Sequence, residues 1–145
     1  QLLLAEAAQR GWITGSTAEA YFNKGVRLHM EQLAIFDANS AVAPAAITSY
    51  LAENPFKTTT ALEQINTQYW VASFLNGPEA FANFRRSGFP ALTPNPVAGD
   101  LGTVGFARRL AYPDLEASSN TTNYNAAAAA IGGDKLSSRV FWDKL

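Results

Sequence analysis

A chain of 145 residues fits one domain or part of a larger body, and its 48% hydrophobic content is enough for an ordinary core. Eleven Lys/Arg against twelve Asp/Glu give a net charge of -1, so no basic excess draws the chain to nucleic acid or to an anionic membrane. The absence of cysteine excludes a disulfide framework, a thiol nucleophile and a zinc–thiolate site. No apolar run reaches the length of a membrane span. The chain opens on an apolar helical pattern without a basic leader, as a chain cut from a longer one would.

The pattern predicts a helix over 1–10, rich in Leu and Ala and ended by Gly11. Ser16 and Glu19 in "STAE" read as a capping box for a second helix over 17–35. Its apolar positions are Tyr21, Phe22, Val26, Leu28, Met30 and Leu33, with Asn23, Lys24, Arg27 and Glu31 on the wet side. Pro44 starts a shorter helix that ends before Pro55. Thr60 and Glu63 repeat the capping box ahead of a long helix over 60–75, and "NGPE" punctuates it. Pro78 opens the next helix, 78–87, which ends at Gly88.

Residues 89–121 lose the helical period. Pro90, Pro94, Pro96 and Pro113, with Gly99, Gly102 and Gly105, make a long irregular segment with room for one short β-hairpin. A last helix over 122–131, capped by Asn123 or Thr122, stops at Gly132-Gly133. The tail "SSRVFWDKL" carries three large apolar residues and is expected to dock.

Little in this sequence carries catalytic chemistry. His29 has no serine–carboxylate pattern around it and no second histidine for a metal, so an ordinary helix position explains it. Glu19, Glu63 and Glu79 sit in first turns, where capping and the helix dipole account for them. Asp114, Glu116, Asp134 and Asp143 have no spacing that signals acid–base work. No phosphate-binding loop, nucleophile elbow, zinc-protease or EF-hand motif is present, and "GDLGTVG" at 99–105 resembles a nucleotide loop only in composition. No cofactor and no metal are implied. Most aromatics fall at helical spacing, where core packing explains them. Tyr50, Phe56 and Tyr124 lie nearer helix ends and are the candidates for ligand contact.

The arginines are unusual in their grouping: Arg85-Arg86 and Arg108-Arg109 are two adjacent pairs in a chain without basic excess. The first pair falls in the last turn of a helix, where cations meet the dipole and the free carbonyls. The second lies in the irregular segment, where a guanidinium fork can hold carbonyls or a carboxylate such as Asp143. All four read as structural locks. Arg85 or Arg86 is expected to be mostly buried, paired with carbonyls or with a carboxylate from the 100–145 region.

Taken in order, "LLLAEAAQRGWITGSTAEAYFNKGVRLHME", "ALEQINTQYWVASFLNGPEAFANFRRSGFPAL", "RRLAYP" and "GGDKLSSRVFWDK" resemble the C-terminal part of the SusD/RagB family, closest to its SusD-like branch. The resemblance runs from Leu2 to Lys144. It implies an all-α fold of tetratricopeptide-like helix pairs and no enzymatic activity. It also implies a nutrient-binding lipoprotein of the outer-membrane surface that takes oligosaccharide or peptide and delivers it to a SusC-like, TonB-dependent transporter. Such proteins are anchored through a lipidated cysteine, which would lie on a part of the chain not present here. On this reading residues 1–145 are one helical region of a larger protein. Two alternatives remain: a scaffold piece with no ligand site of its own, and a fragment of a helical glycoside hydrolase, which would need two carboxylates flanking one cleft. Joint exposure of Tyr50, Phe56 and Tyr124 on a concave surface favours binding over scaffolding, and scattered or buried positions favour the scaffold. A piece of a larger body should also expose apolar surface, with Leu2, Leu3 and Leu4 its first candidates.

Overall fold

The computed structural model describes residues 1–94 and 105–143. The fold is all-α, with seven α-helices and no strand among the described residues. The glycine-rich run and any hairpin centred on it fall mostly outside those residues. The chain divides into two compact units, Gln1–Pro90 and Ala91–Leu145.

The first unit holds α1 (Leu2–Gln9), α2 (Ala18–Phe36), α3 (Pro44–Glu53), α4 (Ala61–Ala72) and α5 (Gly77–Ser87), with 3-10 turns at Ala38–Ser40 and Thr58–Thr60. α1 packs on α2 and α4, α2 also meets α3, and α4 carries α5. α1 ends because Gly11 takes φ +72°, a left-handed turn that costs glycine nothing. The cap of α2 is Thr17 rather than Ser16. Thr17 adopts the extended cap conformation, and its hydroxyl oxygen accepts the Ala20 N–H at 3.1 Å. The expected Thr60 cap is also absent: the 3-10 turn runs straight into α4, and Thr60 does not take an extended conformation. α4 stops at Ala72, three residues early, because the chain turns through Leu75 at φ +68°. α5 closes at Gly88, φ +76°, whose N–H donates to the Phe84 carbonyl at 2.8 Å.

The core is Leu2, Ala5, Phe22, Val26 and Ile65, ringed by half-buried Tyr21, Met30, Tyr50, Leu51, Phe56 and Tyr69. α2 buries only a narrow stripe: Phe22, Gly25 and Val26. Leu28, expected inside, is exposed, because it stands about 200° around the helix from Val26. Leu2 is buried while Leu3 and Leu4 are exposed, so the expected apolar patch on α1 lacks its first residue.

Gly25 is where α1 and α2 touch most closely. A Cβ there would lie 2.8 Å from both Cγ and Cδ2 of Leu2 and 3.2 Å from its backbone nitrogen. Gly25→Ala is therefore expected to destabilise the chain by about 1–2 kcal/mol, the overpacking outweighing the better helix propensity of alanine. Urea denaturation would read this as a lower midpoint at unchanged slope; a stabilised variant would mean that Leu2 repacks freely.

The second unit holds α6 (Asp114–Ser119) and α7 (Thr121–Ala130), packed on each other. α6 falls inside the stretch read as irregular. It is six residues long, too short for a readable period, and its signal is only Pro113 followed by Asp114 and Glu116 in the first turn. No side chain caps α7, because the asparagines bond to other groups: Asn123 Nδ2 donates to Asn120 Oδ1, and Asn120 Nδ2 to Glu116. Gly132 and Gly133, both at positive φ, follow it. Among the described residues of this unit no apolar side chain is fully buried, whereas Asp143 is. The tail is thus held through its carboxylate, while Phe141 and Trp142 remain exposed.

Candidate functional site

Tyr50 and Phe56 belong to the first unit. Phe56 packs its ring on Phe22, with centroids 5.2 Å apart, so it serves the core edge. Tyr50 edges a polar hollow of about 350 Å³ between the end of α3 and the start of α4. Asn54, Lys57, Glu63, Gln64, Thr67 and Gln68 share the hollow with it. Several of these groups are already engaged. Gln68 Nε2 donates to the Tyr50 hydroxyl at 2.9 Å. Gln64 accepts the Lys57 N–H at 2.7 Å and donates to the Pro55 carbonyl at 3.1 Å, which fixes the loop. An aromatic ring among amides, hydroxyls, one ammonium and one carboxylate has the chemistry to hold a polyhydroxylated ligand. Tyr124 lies in the second unit, so the three aromatic candidates do not form one group within either unit.

Tyr124 instead takes part in an ion-pair assembly. Arg109 donates to Asp134 and lies 4.6 Å above the Tyr112 ring. Asp134 also accepts the Tyr112 N–H at 3.1 Å and the Tyr124 hydroxyl at 3.3 Å. The Arg109 hydrogen bond, against some burial, holds the Asp134 carboxyl below the usual range. Burial and the neighbouring Asp134 push the Tyr124 phenol up. Arg108 grips Asp143 with both oxygens engaged: Nε donates to Oδ2 at 2.6 Å and Nη2 to Oδ1. Arg139 adds a third bond to Asp143 Oδ1 at 3.0 Å. The Arg108 and Arg109 N–H groups both point to the Leu136 carbonyl. Two arginines thus tie the segment before α6 to the segment after α7.

The first pair divides its work. Arg86 donates from Nη1 and Nη2 to the two oxygens of Glu6, each at 2.7 Å, with further bonds to Asn66 and Asn83. Arg10 supports Glu6 from one turn on, at 2.8 Å. The partner is therefore on α1, not in the 100–145 region, and the Arg86 side chain is 39% exposed rather than mostly buried. The carboxylate is the buried member. Burial pushes the Glu6 carboxyl up, but hydrogen bonds and charge from Arg86 and Arg10 outweigh it, so the group ionises below the ordinary 4.5. Arg85 turns another way and stacks 4.4 Å above the Phe81 ring. Tyr69 donates to Glu79 at 2.5 Å, and burial with that bond pushes its phenol up to about 12. Nothing in the sequence flagged Glu6, which lies eighty positions from Arg86. Among the described residues no cluster of His, Cys, Asp and Glu could hold a metal, and no helix is long and apolar enough to cross a membrane.

A family model described as SusD-like, "Starch-binding associating with outer membrane", matches residues 1–113. Among solved structures, a chitin-binding protein is 38% identical, with a TM-score of 0.86, over 99% of this chain and 32% of its own. A Bacteroidetes SusD-like protein is 33% identical at TM-score 0.86, over 99% and 29%. A SusD homologue from Bacteroides thetaiotaomicron is 26% identical at TM-score 0.78, over 99% and 37%. No curated protein matches. The chain therefore spans about a third of the length of these structural relatives. A family match over more than half of its residues, joined to the same helical fold, makes this chain a member of the SusD-like family.

Proposed function

We propose that the chain is part of a non-enzymatic glycan-binding protein of an outer-membrane, TonB-dependent uptake system. The observation that carries this reading is the 38% identity to a chitin-binding protein, backed by a family description that names starch binding and the outer membrane. The longer protein would sit at the cell surface on a lipid anchor and hand oligosaccharide to a SusC-like transporter. Glycan is favoured over peptide because both descriptions name a polysaccharide. The hollow beside Tyr50 is the candidate contact, since a ring face beside amides and hydroxyls suits a sugar. It carries one carboxylate, Glu63, where glycoside hydrolysis needs two across a scissile bond.

Titration calorimetry with malto- and chito-oligosaccharides tests this. Measurable binding to one series is expected, without product formation. Tyr50→Ala should weaken it by roughly tenfold, the effect of losing one stacked ring. Tyr50→Ala binding at parent strength would move the contact elsewhere on the chain. No binding to either series would favour the scaffold reading, to which the internal bonds of Tyr50 and Gln64 already lend weight. Turnover lost with Glu63→Gln would overturn both.

A further inference from the structure

Gln64 and Gln68 stand one turn apart on α4, so both project from one face of the helix. Together they shape the hollow beside Tyr50. Gln64 clamps the loop ahead of α4, with its oxygen on the Lys57 N–H and its nitrogen on the Pro55 carbonyl. Both ends of its amide are therefore engaged in holding the wall. Gln68 differs. Its Nε2 donates to the Tyr50 hydroxyl at 2.9 Å, and neither side chain makes another side-chain hydrogen bond among the described residues. Both are half-buried, where an unanswered polar group is costly.

That one bond leaves a fixed remainder. With Nε2 donating, the Tyr50 O–H proton points away from Gln68, and Gln68 Oε1 stays open to accept. The opposite amide orientation leaves the same two functions. The Tyr50 O–H then donates to Oε1, and Nε2 stays open as a donor beside the phenolic oxygen as an acceptor. Either way, one donor and one acceptor stand side by side. A ligand group that answers both carries an acceptor and a donor close together. An acetamido group does so, with its carbonyl oxygen and N–H in one plane, and its methyl finds the Tyr50 ring and Phe22 in the lining. A hydroxyl answers both but has no methyl to place, and an ammonium only donates. Lys57 and Glu63, also in the lining, carry opposite charges and give the hollow no net charge.

We propose that Gln68 is a specificity-determining residue: paired with Tyr50, it makes the hollow select N-acetylated amino sugars over their deacetylated forms and over plain glucose units. The inference deepens the glycan reading of the hollow and rests on it. A site built to pair both ends of a polar group rejects a ligand that leaves one end unpaired, which is how hydrogen bonds discriminate. The clamp by Gln64 and the tie between Gln68 and Tyr50 fix the walls in advance, so little ordering is left for the ligand to impose.

Gln68→Glu changes the polarity of the pair with little change of shape. The carboxylate still holds the ring by accepting the Tyr50 O–H, but the open donor is lost. A residue that only props the ring would tolerate this change; one that reads an acetamido carbonyl would not. Titration calorimetry on the 145-residue chain compares chito-oligosaccharides, the same oligosaccharides deacetylated, and malto-oligosaccharides. The parent should bind the acetylated series tighter than the other two by roughly tenfold. Gln68→Glu should weaken the acetylated series by roughly tenfold and strengthen the deacetylated one, whose ammonium meets the new carboxylate. A thermal melt beside the parent checks the fold. Should Gln68→Glu not fold, Gln68→Leu removes the amide, keeps the ring, and should bring the acetylated series down to the level of the others. Parent binding of either other series as tight as the acetylated one would overturn the proposal. So would parent-strength binding of the acetylated series by a folded Gln68 variant. Failure of the parent to bind all three series is a separate result: the glycan reading then falls before any variant is made, and the role of Gln68 with it.

Discussion

Arg108→Ala should lower the stability of the C-terminal unit by about 3–5 kcal/mol, the usual loss when one partner of a buried ion pair is removed. The Asp143 side chain is wholly buried and Arg108 nearly so, with both carboxylate oxygens engaged by the guanidinium. Arg139, which keeps its bond to one oxygen, is itself half in water and does not replace the two-pronged grip. The loss is large for this unit because no apolar side chain among its described residues is fully buried. Changing both residues together, Arg108→Ala with Asp143→Ala, should cost less than the two single losses added, because no orphaned charge remains. A urea melt in a Trp12→Phe, Trp70→Phe background, where Trp142 is the one tryptophan left to fluoresce, would measure all three variants. A parent-like melt for Arg108→Ala would show that the pair does not hold the unit together.

The second large effect is expected at Arg86. Arg86→Ala removes two of the three hydrogen bonds that the Glu6 carboxylate receives, while the Arg10 side chain keeps one. A fully buried pair would cost about 3–5 kcal/mol, but the Arg86 side chain is 39% exposed, and solvent screening brings the expectation to about 2–3 kcal/mol. Arg85→Ala removes a contact with the Phe81 ring worth about 1 kcal/mol at a partly open site, and should cost less than Arg86→Ala. The contrast between neighbours is the test, and equal melting of the two variants would refute the division of roles.

The same pair predicts a pH response. The Glu6 carboxyl ionises more readily in the folded chain than its ordinary 4.5, so the unfolded chain binds more protons near that pH. The stabilisation is fully present above 4.5 and is lost as pH falls through the lower folded value. Glu6→Gln should therefore start from a lower plateau and fall less steeply in acid. An acid limb as steep as the parent's would remove Glu6 from the account.

Helix existence was legible wherever local rules decide it. Gly11, Pro44, Pro78 and Gly88 punctuate the chain by backbone sterics alone, and the helices end or begin beside them. The family could also be read from the sequence, because "FLNGPEAFANFRRSGFP" and its flanking runs keep their order. Caps were less legible. Ser16 and Thr17 have the same chemistry, and only the backbone angle at the helix start selects Thr17. The six residues of α6 carry too little periodicity to register at all.

The site was less legible than the helices. The sequence by itself determined that four arginines had to be accommodated in a chain without basic excess, and that Arg108 had a carboxylate such as Asp143 within its choice. It could not name Glu6 for Arg86 or Asp134 for Arg109. A helix end limits which carbonyls a side chain can reach, but a carboxylate arriving from eighty positions away is set by how α1, α4 and α5 pack. Burial is decided the same way. Leu2 goes in and Leu3 stays out because Gly25 lets α1 approach α2 at one spot, and Phe74 stays bare because α4 ends before its face meets a partner. Helix propensity, capping and turns act over a few residues and are written in order along the chain. Ion pairing and burial depend on distances between helices, which exist only after they have packed.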